Sequence, residues 1–359
     1  MSHAEPALVS SARPRVALVG LGRMGHNHLR VLRESGHFEL VAVVDSQARA
    51  PGAELMGSAV FLRDLEELSR LDFDCAVVAT PTATHADVAR RLLEMGRHLL
   101  VEKPLASTFQ QAAALVDLAN ARGLRLAVGH VERFNPAVRK LREVIKDGWL
   151  GTPIHFSFTR VGGYPETLIA GNNVLLDLAV HDIDVLRGMV GPLKLEASIA
   201  HSSVREGVFD TAEIFLSSRA GASATVHTNW ITPTKIRTIR VTGSRGVCFV
   251  DYILQTCQVV SGRPELLPSL SSGFEELKQN YQATPPVDLD VQREEPLKAQ
   301  LQRFHRWITD GETGDLCLGA DACAAVLIAE RAMNRPSVRL GPAETKGPLV
   351  PPGFDDVWV

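Results

Sequence analysis

Apolar and polar positions change rhythm once along this chain, near residue 195. Before that point, short unbroken apolar runs alternate with stretches of helical period; after it, apolar and polar residues alternate singly. The unbroken runs are Val16–Val19, Leu40–Val44, Cys75–Ala79, His98–Val101 and Leu126–Val128. Runs of that length are predicted strands buried on both faces. Between them lie predicted helices over Met24–Glu34, Ala48–Met56, Ala86–Met95 and Gln110–Arg122. A brief strand is expected at Ala59–Leu62, and Leu65 and Leu68 suggest a short helix after it. Strands alternating with helices predict a doubly wound, parallel α/β sheet.

A helix at Pro136–Lys146 and a strand at Pro153–Val161 open the second unit. In the next helix, Val174–Val190, the residues Leu176, Ala179, Val180, Ile183 and Leu186 form one apolar side. Asp177, His181 and Asp184, spaced i, i+4, i+7, share another face. From Leu195 the period is two, and EASIAHSS, TAEIFLSS, SATVHTNW, KIRTIRVT and GVCFVDYI read as successive strands of a mainly antiparallel sheet. The Val174–Val190 helix is expected to cover one face of that sheet. Residues 262–294 are polar, proline-spotted and weakly periodic, as in a loop or flap. Helices are predicted at Pro296–Thr309 and Asp321–Met333, and the tail from Pro342 has no clear period. The expected division is therefore 1–132, an α/β domain; 133–342, an α+β domain; and 343–359, an extended tail.

A length of 359 residues suits two domains, and 45% hydrophobic with 22% charged residues is ordinary globular composition. A net charge of −3 gives no reason to expect nucleic acid or an anionic membrane as partner. No apolar run approaches the ~18–20 residues that span a bilayer. Met1–Arg13 lacks a basic start followed by an apolar core, so it reads as a short disordered lead, not a signal peptide. The five cysteines are scattered and lack C-x-x-C spacing, which predicts buried thiols in a reducing, cytoplasmic setting and no metal site of cysteines.

The candidate chemistry begins at Gly20, Gly22 and Gly25, in G-x-G-x-x-G spacing between a predicted strand and helix. That spacing suits a dinucleotide: Gly20 makes the tight turn, Gly22 lets backbone approach a pyrophosphate, and Gly25 lets helix and strand pack closely. The helix start at Arg23 and Met24 offers free N–H groups to phosphate. Asp45 ends the second strand, 20 residues past Gly25, where it would accept hydrogen bonds from both ribose hydroxyls. A carboxylate there repels a 2′-phosphate, and Ser46 and Gln47 follow instead of an arginine, although Arg49 lies nearby. NAD is the favoured cofactor.

Lys103 follows an apolar strand and precedes a proline. A lysine so placed is either a solvated rim charge or a group pointing into the ligand crevice beyond the strand ends. Asp177 and His181 carry the same ambiguity: D-x-x-x-H on a helix serves as an ion pair or as a general base with its orienting carboxylate. Nothing nearby supplies further ligands at metal spacing, so no metal is expected.

GLGRMG, ATPTATH and VEKPLA together resemble the Gfo/Idh/MocA family of pyranose and cyclitol oxidoreductases, with D-x-x-x-H as the third motif. The resemblance runs from about Arg15 to Arg335. It implies that Lys103 contacts substrate near the nicotinamide, that Asp177 and His181 are catalytic, and that Thr80, Pro81, Thr84, His85 and Glu102 flank the cofactor. It also implies a homodimer or homotetramer built through the second sheet. VGHVERFNPAV, RVGGYP and NWITPTKIRTIRVTGSRG are most similar to members that oxidise the 3-hydroxyl of UDP-N-acetylglucosamine toward amino-sugar and lipopolysaccharide biosynthesis. Glu132, Arg133, Asn135, Arg160, Lys235 and Arg237 are then candidates to bind a UDP-sugar. A free-sugar or cyclitol dehydrogenase and a non-catalytic NAD-binding regulator are the alternatives.

Overall fold

A computed structural model describes residues 8–10, 13–164, 173–261 and 285–334. The first sheet is built from β1 (Arg15–Val19), β2 (Glu39–Val44), β3 (Val60–Leu62), β4 (Cys75–Val78), β5 (His98–Glu102) and β6 (Leu126–Gly129). All pair in parallel in the order β3-β2-β1-β4-β5-β6, the arrangement of dinucleotide-binding sheets. Helices α1 (Arg23–Ser35), α3 (Thr82–Glu94) and α4 (Phe109–Ala121) provide the longer crossovers, with a short α2 at Ala53–Met56. Apolar residues of β1 and β4 are buried on both faces, which is why they read as unbroken runs.

After α5 (Pro136–Lys146) comes the second sheet. Its strands are β7 (Pro153–Val161), β8 (Leu193–His201), β9 (Thr211–Ser218), β10 (Ser223–Asn229), β11 (Ile236–Gly243), β12 (Gly246–Asp251), β13 (Thr256–Ser261) and β14 (Val287–Leu289). The order is β14-β13-β12-β11-β7-β10-β9-β8, antiparallel except for the β7–β10 pair. One face carries Phe156, Leu216, Ala224, Val241 and Cys248 into a core shared with α5 and with α6 (Val180–Val190). The other face presents the row Phe215, Thr225, Ser157, Arg240 and Phe249, registered strand to strand. Phe215 and Phe249 are each 41% exposed.

The chain then returns to the first unit. Helix α7 (Pro296–Asp310) buries Phe304 and Trp307 in the core that holds Phe38, Leu29 and Val16. Strand β15 (Cys317–Leu318) pairs antiparallel with β6 and becomes the seventh strand of the first sheet. Helix α8 (Gly319–Asn334) contributes Ala322 and Cys323 to the core of the first sheet and Ala325, Val326 and Ala329 to that of the second. A linear division at residue 132 does not capture this return: the apolar stripe of α7 and the two-residue strand β15 give no sequence signal of which sheet they join.

Other differences are local. The Val174–Val190 segment is one rod with two geometries, a π-helical turn at Leu175–Ala179 followed by α6. Strands β13 and β14 are not foreseen, and β14 falls within the stretch read as loop or flap. Residues 262–284 of that stretch, most of the N-terminal lead and the tail from Pro342 lie outside the described residues. All five cysteines are buried and free. Among the described residues no helix is long and apolar enough to cross a membrane.

Candidate active site

The site forms where the carboxyl ends of β1, β4 and β5 meet the π turn and the C-terminal end of β7. A cleft of about 630 Å³ lies there, lined among others by Arg23, Met24, Thr80, Pro81, Glu102, Lys103, Arg160, Asp177, His181, Lys235 and Arg237. It is the crevice beyond the strand ends where open α/β sheets bind ligands.

The glycine loop is shaped by contact on one side and openness on the other. Gly20 has φ +99°, and a Cβ on it would lie 2.6 Å from Ala79 carbonyl atoms. A Cβ on Gly25 would stand 2.1 Å from the Gly20 oxygen, whereas one on Gly22 would meet nothing within 4 Å. Gly22 is thus the place where a phosphate can approach backbone. Helix α1 starts there without a side-chain cap, leaving its first N–H groups free for an anion. These observations fit a dinucleotide.

Asp45 has a second task. Its Oδ2 accepts the Leu21 N–H at 2.6 Å, and its Oδ1 accepts those of Gln47 and Ala48 at 2.8 and 2.7 Å. Burial alone would raise its pKa, but those three backbone N–H groups hold it below the ordinary carboxylate value. An ionised carboxylate has about four acceptor sites, and backbone N–H groups already use three of those on Asp45. Ser46 is exposed beside it, its carbonyl taken by Arg63.

Thr80 and Pro81 line the cleft. Thr84 does not: its Oγ1 donates to Pro81 O at 2.8 Å and lies 2.9 Å from the Thr80 hydroxyl, from which it can accept. His85 is 1% exposed, with Nδ1 and Nε2 each 2.8 Å from the carbonyls of Pro104 and Thr80. It braces the Thr80 turn against the Lys103–Pro104 turn. Burial lowers its pKa, opposed by those two carbonyls. Glu102 is likewise a brace, accepting from the Lys103 backbone N–H and paired with His28 Nε2 at 2.7 Å. Burial would raise its pKa, but His28 and Lys103 bring it below the usual range.

Lys103 points into the cleft. Its Nζ donates to the Asp177 carbonyl at 2.6 Å and to Asp177 Oδ1 at 3.0 Å. Asp177 Oδ2 accepts from Trp230 Nε1 at 3.1 Å, a partner that sequence reasoning missed. Desolvation would raise the Asp177 pKa, yet Lys103 and Trp230 keep it low. Both carboxylate oxygens of Asp177 are therefore engaged, by Lys103 and by Trp230, and among the described residues Asp177 makes no hydrogen bond to His181. This differs from the expected role of Asp177 in orienting the imidazole: its carboxylate is held by Lys103 and Trp230 instead.

His181 reaches the cleft with its Nδ1 sealed and without a hydrogen-bond partner among the described residues, so Nε2 is the nitrogen that faces a ligand. Burial lowers its pKa well below the ordinary imidazole value, aided by the charges of Lys103 and Arg160. It is a neutral ring at physiological pH, with a lone pair to offer.

The proposed substrate contacts divide. Arg160 borders the cleft, but its Nε and Nη2 each donate to Asp182 at 2.9 Å and its Nη1 to Glu132 at 3.0 Å. Arg133 is not in the cleft: Nε and Nη2 bind Asp184 at 2.7 Å each, with further bonds to Asp321 and the Leu316 carbonyl. Asn135 caps α5 and donates to Glu132 and the Tyr252 carbonyl. Both are structural because the chain crosses between the sheets there and buries them. Lys235 and Arg237 do line the cleft, Arg237 resting on the carbonyls of Val161 and Gly162. Among the described residues one group has metal-ligand proximity, His130, Asp184 and Cys317, within 4.8 Å. Arg133 already fills the cation's place on Asp184.

A glycine-loop sheet joined to a second sheet, with a lysine and a neutral histidine at the seam, defines a dinucleotide-dependent oxidoreductase. Family models specify which. Residues 14–130 match an oxidoreductase family with an NAD-binding Rossmann fold, and residues 138–248 match the GFO/IDH/MocA C-terminal domain. The chain belongs to the Gfo/Idh/MocA family and is an NAD-dependent dehydrogenase. It is 28% identical over 282 residues to a scyllo-inositol 2-dehydrogenase (NAD(+)) of Bacillus subtilis, covering 73% of this chain and 82% of that one. It is 24% identical over 316 residues to a UDP-N-acetylglucosamine 3-dehydrogenase of Acidithiobacillus ferrooxidans, covering 85% and 94%. The solved structure of a protein of that name and organism superposes with a TM-score of 0.73 at 22% identity, over 89% of this chain and 96% of that one. A levoglucosan dehydrogenase in complex with NADH superposes with a TM-score of 0.75 at 19% identity, over 89% and 96%.

Proposed function

We propose that this dehydrogenase acts on a sugar carried by a nucleotide, oxidising the 3-hydroxyl of UDP-N-acetylglucosamine to the 3-keto sugar. The observation that carries the reading is the convergence of Lys103, Asp177 and His181 in one cleft beside the glycine loop. Two further features support the sugar nucleotide over a free cyclitol. Lys235 and Arg237 line one wall of the cleft, where an extended anionic diphosphate needs cations, and the UDP-sugar relative aligns over more of the chain than the inositol relative does. In this scheme residues 1–132 hold the cofactor and the later sheet holds substrate.

The bound nicotinamide supplies the hydride acceptor. His181 Nε2 takes the proton of the reacting hydroxyl. Lys103 Nζ, held at Asp177, hydrogen-bonds the same oxygen and stabilises its alkoxide character, an electrostatic contribution that grows as water leaves the cleft. Asp177 fixes the lysine rather than the imidazole.

The test is NAD reduction by purified protein with a carbonyl trap, offered UDP-N-acetylglucosamine, its uronic acid, UDP-glucose, myo-inositol and glucose. Turnover confined to UDP-sugars, with a trapped 3-keto product, is expected; turnover only with inositol or glucose rejects the substrate. His181→Asn should lower turnover by ~10²–10⁴-fold while NAD binding persists. We further propose a homodimer or homotetramer through the open face bearing Phe215 and Phe249. Phe249→Asp should then reduce the mass seen by light scattering.

A further inference from the structure

Behind His181 stands a second histidine that the scheme above leaves unused. His130 follows β6 directly and is 1% exposed. Its ring meets that of His181 edge to face, with centroids 6.4 Å apart and planes at 84°. Its Nδ1 lies 3.8 Å from Oδ2 of Asp184, a carboxylate with no solvent exposure. That carboxylate is immobilised by the Arg133 fork and by Cys317 Sγ, 3.2 Å from Oδ1.

Both ring nitrogens of His130, and Nδ1 of His181, are sealed from solvent with no hydrogen-bond partner among the described residues. An unpaired buried donor or acceptor costs roughly 1–3 kcal/mol. Three such atoms on two rings packed edge to face leave both rings in need of a partner, and Asp184 Oδ2 lies 3.8 Å from His130 Nδ1. The chemistry asks for a partner too. An imidazole that takes a proton at Nε2 carries its own hydrogen on Nδ1, and whatever accepts that hydrogen fixes tautomer and tilt. Asp177 is spent on Lys103 and Trp230, so it cannot be that acceptor.

We propose that His130, backed by Asp184, is the positioning residue for His181. The Nδ1–H of His130 is directed at Asp184, and its Nε2 accepts the Nδ1–H of His181 through one bridging water. This leaves the Nε2 lone pair of His181 for the substrate hydroxyl. When that proton arrives, Nδ1 keeps its hydrogen, and the new imidazolium is offset by Asp184 across a His130 ring that gains no proton. The proposal deepens the assignment of His181 as base and rests on it. The groups facing His130 are Asp184, Arg133, Lys103, Glu102 and Cys317; those facing His181 are Lys103, Arg160 and Arg237. None is a third imidazole, so the two rings can be followed by their own signals.

The experiment uses the full chain with histidine nitrogens labelled with nitrogen-15, assigning His181 by its loss in His181→Asn. In the wild-type protein His181 should be the Nδ1–H tautomer. In His130→Phe it should become a mixture, with kcat down by about 10- to 100-fold and KM and NAD affinity near wild type. His130→Gln, which keeps an acceptor, should restore part of both. An Nε2–H tautomer in the wild type overturns the proposal whatever the variants do, including a variant that fails to fold. So does His130→Phe with unchanged tautomer and kcat. If His181→Asn retains full turnover, the base assignment itself has failed; if it abolishes turnover while His130→Phe changes nothing, only the His130 role has.

Discussion

Lys103 acts on two partners at once: it fixes Asp177 through two contacts and lowers the proton affinity of His181 through its charge. Replacing it with glutamine should therefore do more than slow the reaction. Removing a positive neighbour lets His181 charge at higher pH, so the acid limb of the kcat/KM profile should move toward higher pH in Lys103→Gln. A rate loss with the limb unmoved would mean that the lysine charge does not reach the imidazole. At this scale the sequence was informative about which residues matter and poor about what each touches. Lys103, Asp177 and His181 converge as the motifs implied, but the carboxylate pairs with the lysine. That pairing depends on a π turn, a backbone detail that no residue pattern announces. Arg133 and Arg160 read alike as cations near a cleft. Only their carboxylate partners, 51 and 22 residues away in sequence, separate a buried tie from a cleft wall.

Among the elements, the strand–turn–helix of the glycine loop was legible because every part of it is local: strand, turn and helix are adjacent in sequence and each constraint is steric. The three glycines nevertheless differ in what they tolerate. Gly22→Ala should fold normally, with weakened NAD binding as its main defect, because the new methyl enters open space where phosphate approaches. Gly25→Ala should lose folded protein, since its methyl would stand 2.1 Å from the Gly20 oxygen. Thermal melts and cofactor titration of the two variants separate these outcomes. The short pieces β13, β14 and β15 were not legible. Strands of two or three residues, as β14 and β15 are, have no period to detect, and the six residues of β13 sit directly after the turn at residues 252–255, where no break in the polar pattern announces a new strand.

For the molecule as a whole, Arg133 joins the linker after β6 to Asp184 of α6, Asp321 of α8 and the carbonyl before β15. Removing one side of a buried pair strands the other, at a cost of about 3–5 kcal/mol. Arg133→Met should lower the unfolding midpoint markedly, measured by denaturant titration. Acid should act on the same stability through buried histidines. Burial lowers the pKa of His85, His130 and His181, and that of His98 to about 4. Below the unfolded value of about 6.5 the unfolded chain binds protons that these rings refuse. Stability is thus fully present above that pH and is lost as pH falls toward the folded values, by up to about 1.4 kcal/mol per histidine per unit. A melting temperature independent of pH between 6.5 and 4 would contradict this. The division into two sheets was legible because the apolar period changes; the return of the chain was not, since α8 serves two cores with one run of small residues.

That return has a consequence for anyone wishing to transplant this chemistry. A substrate half cannot be cut out with a single joint after β6, because α7 and β15 finish the cofactor half and α8 belongs to both. A working chimera needs a second joint before Pro296, so that the donated part is an insert between two fixed ends. Its new residues must still meet Arg133 and α8, which makes that shared seam, more than the cleft itself, the inheritance any exchanged module has to match.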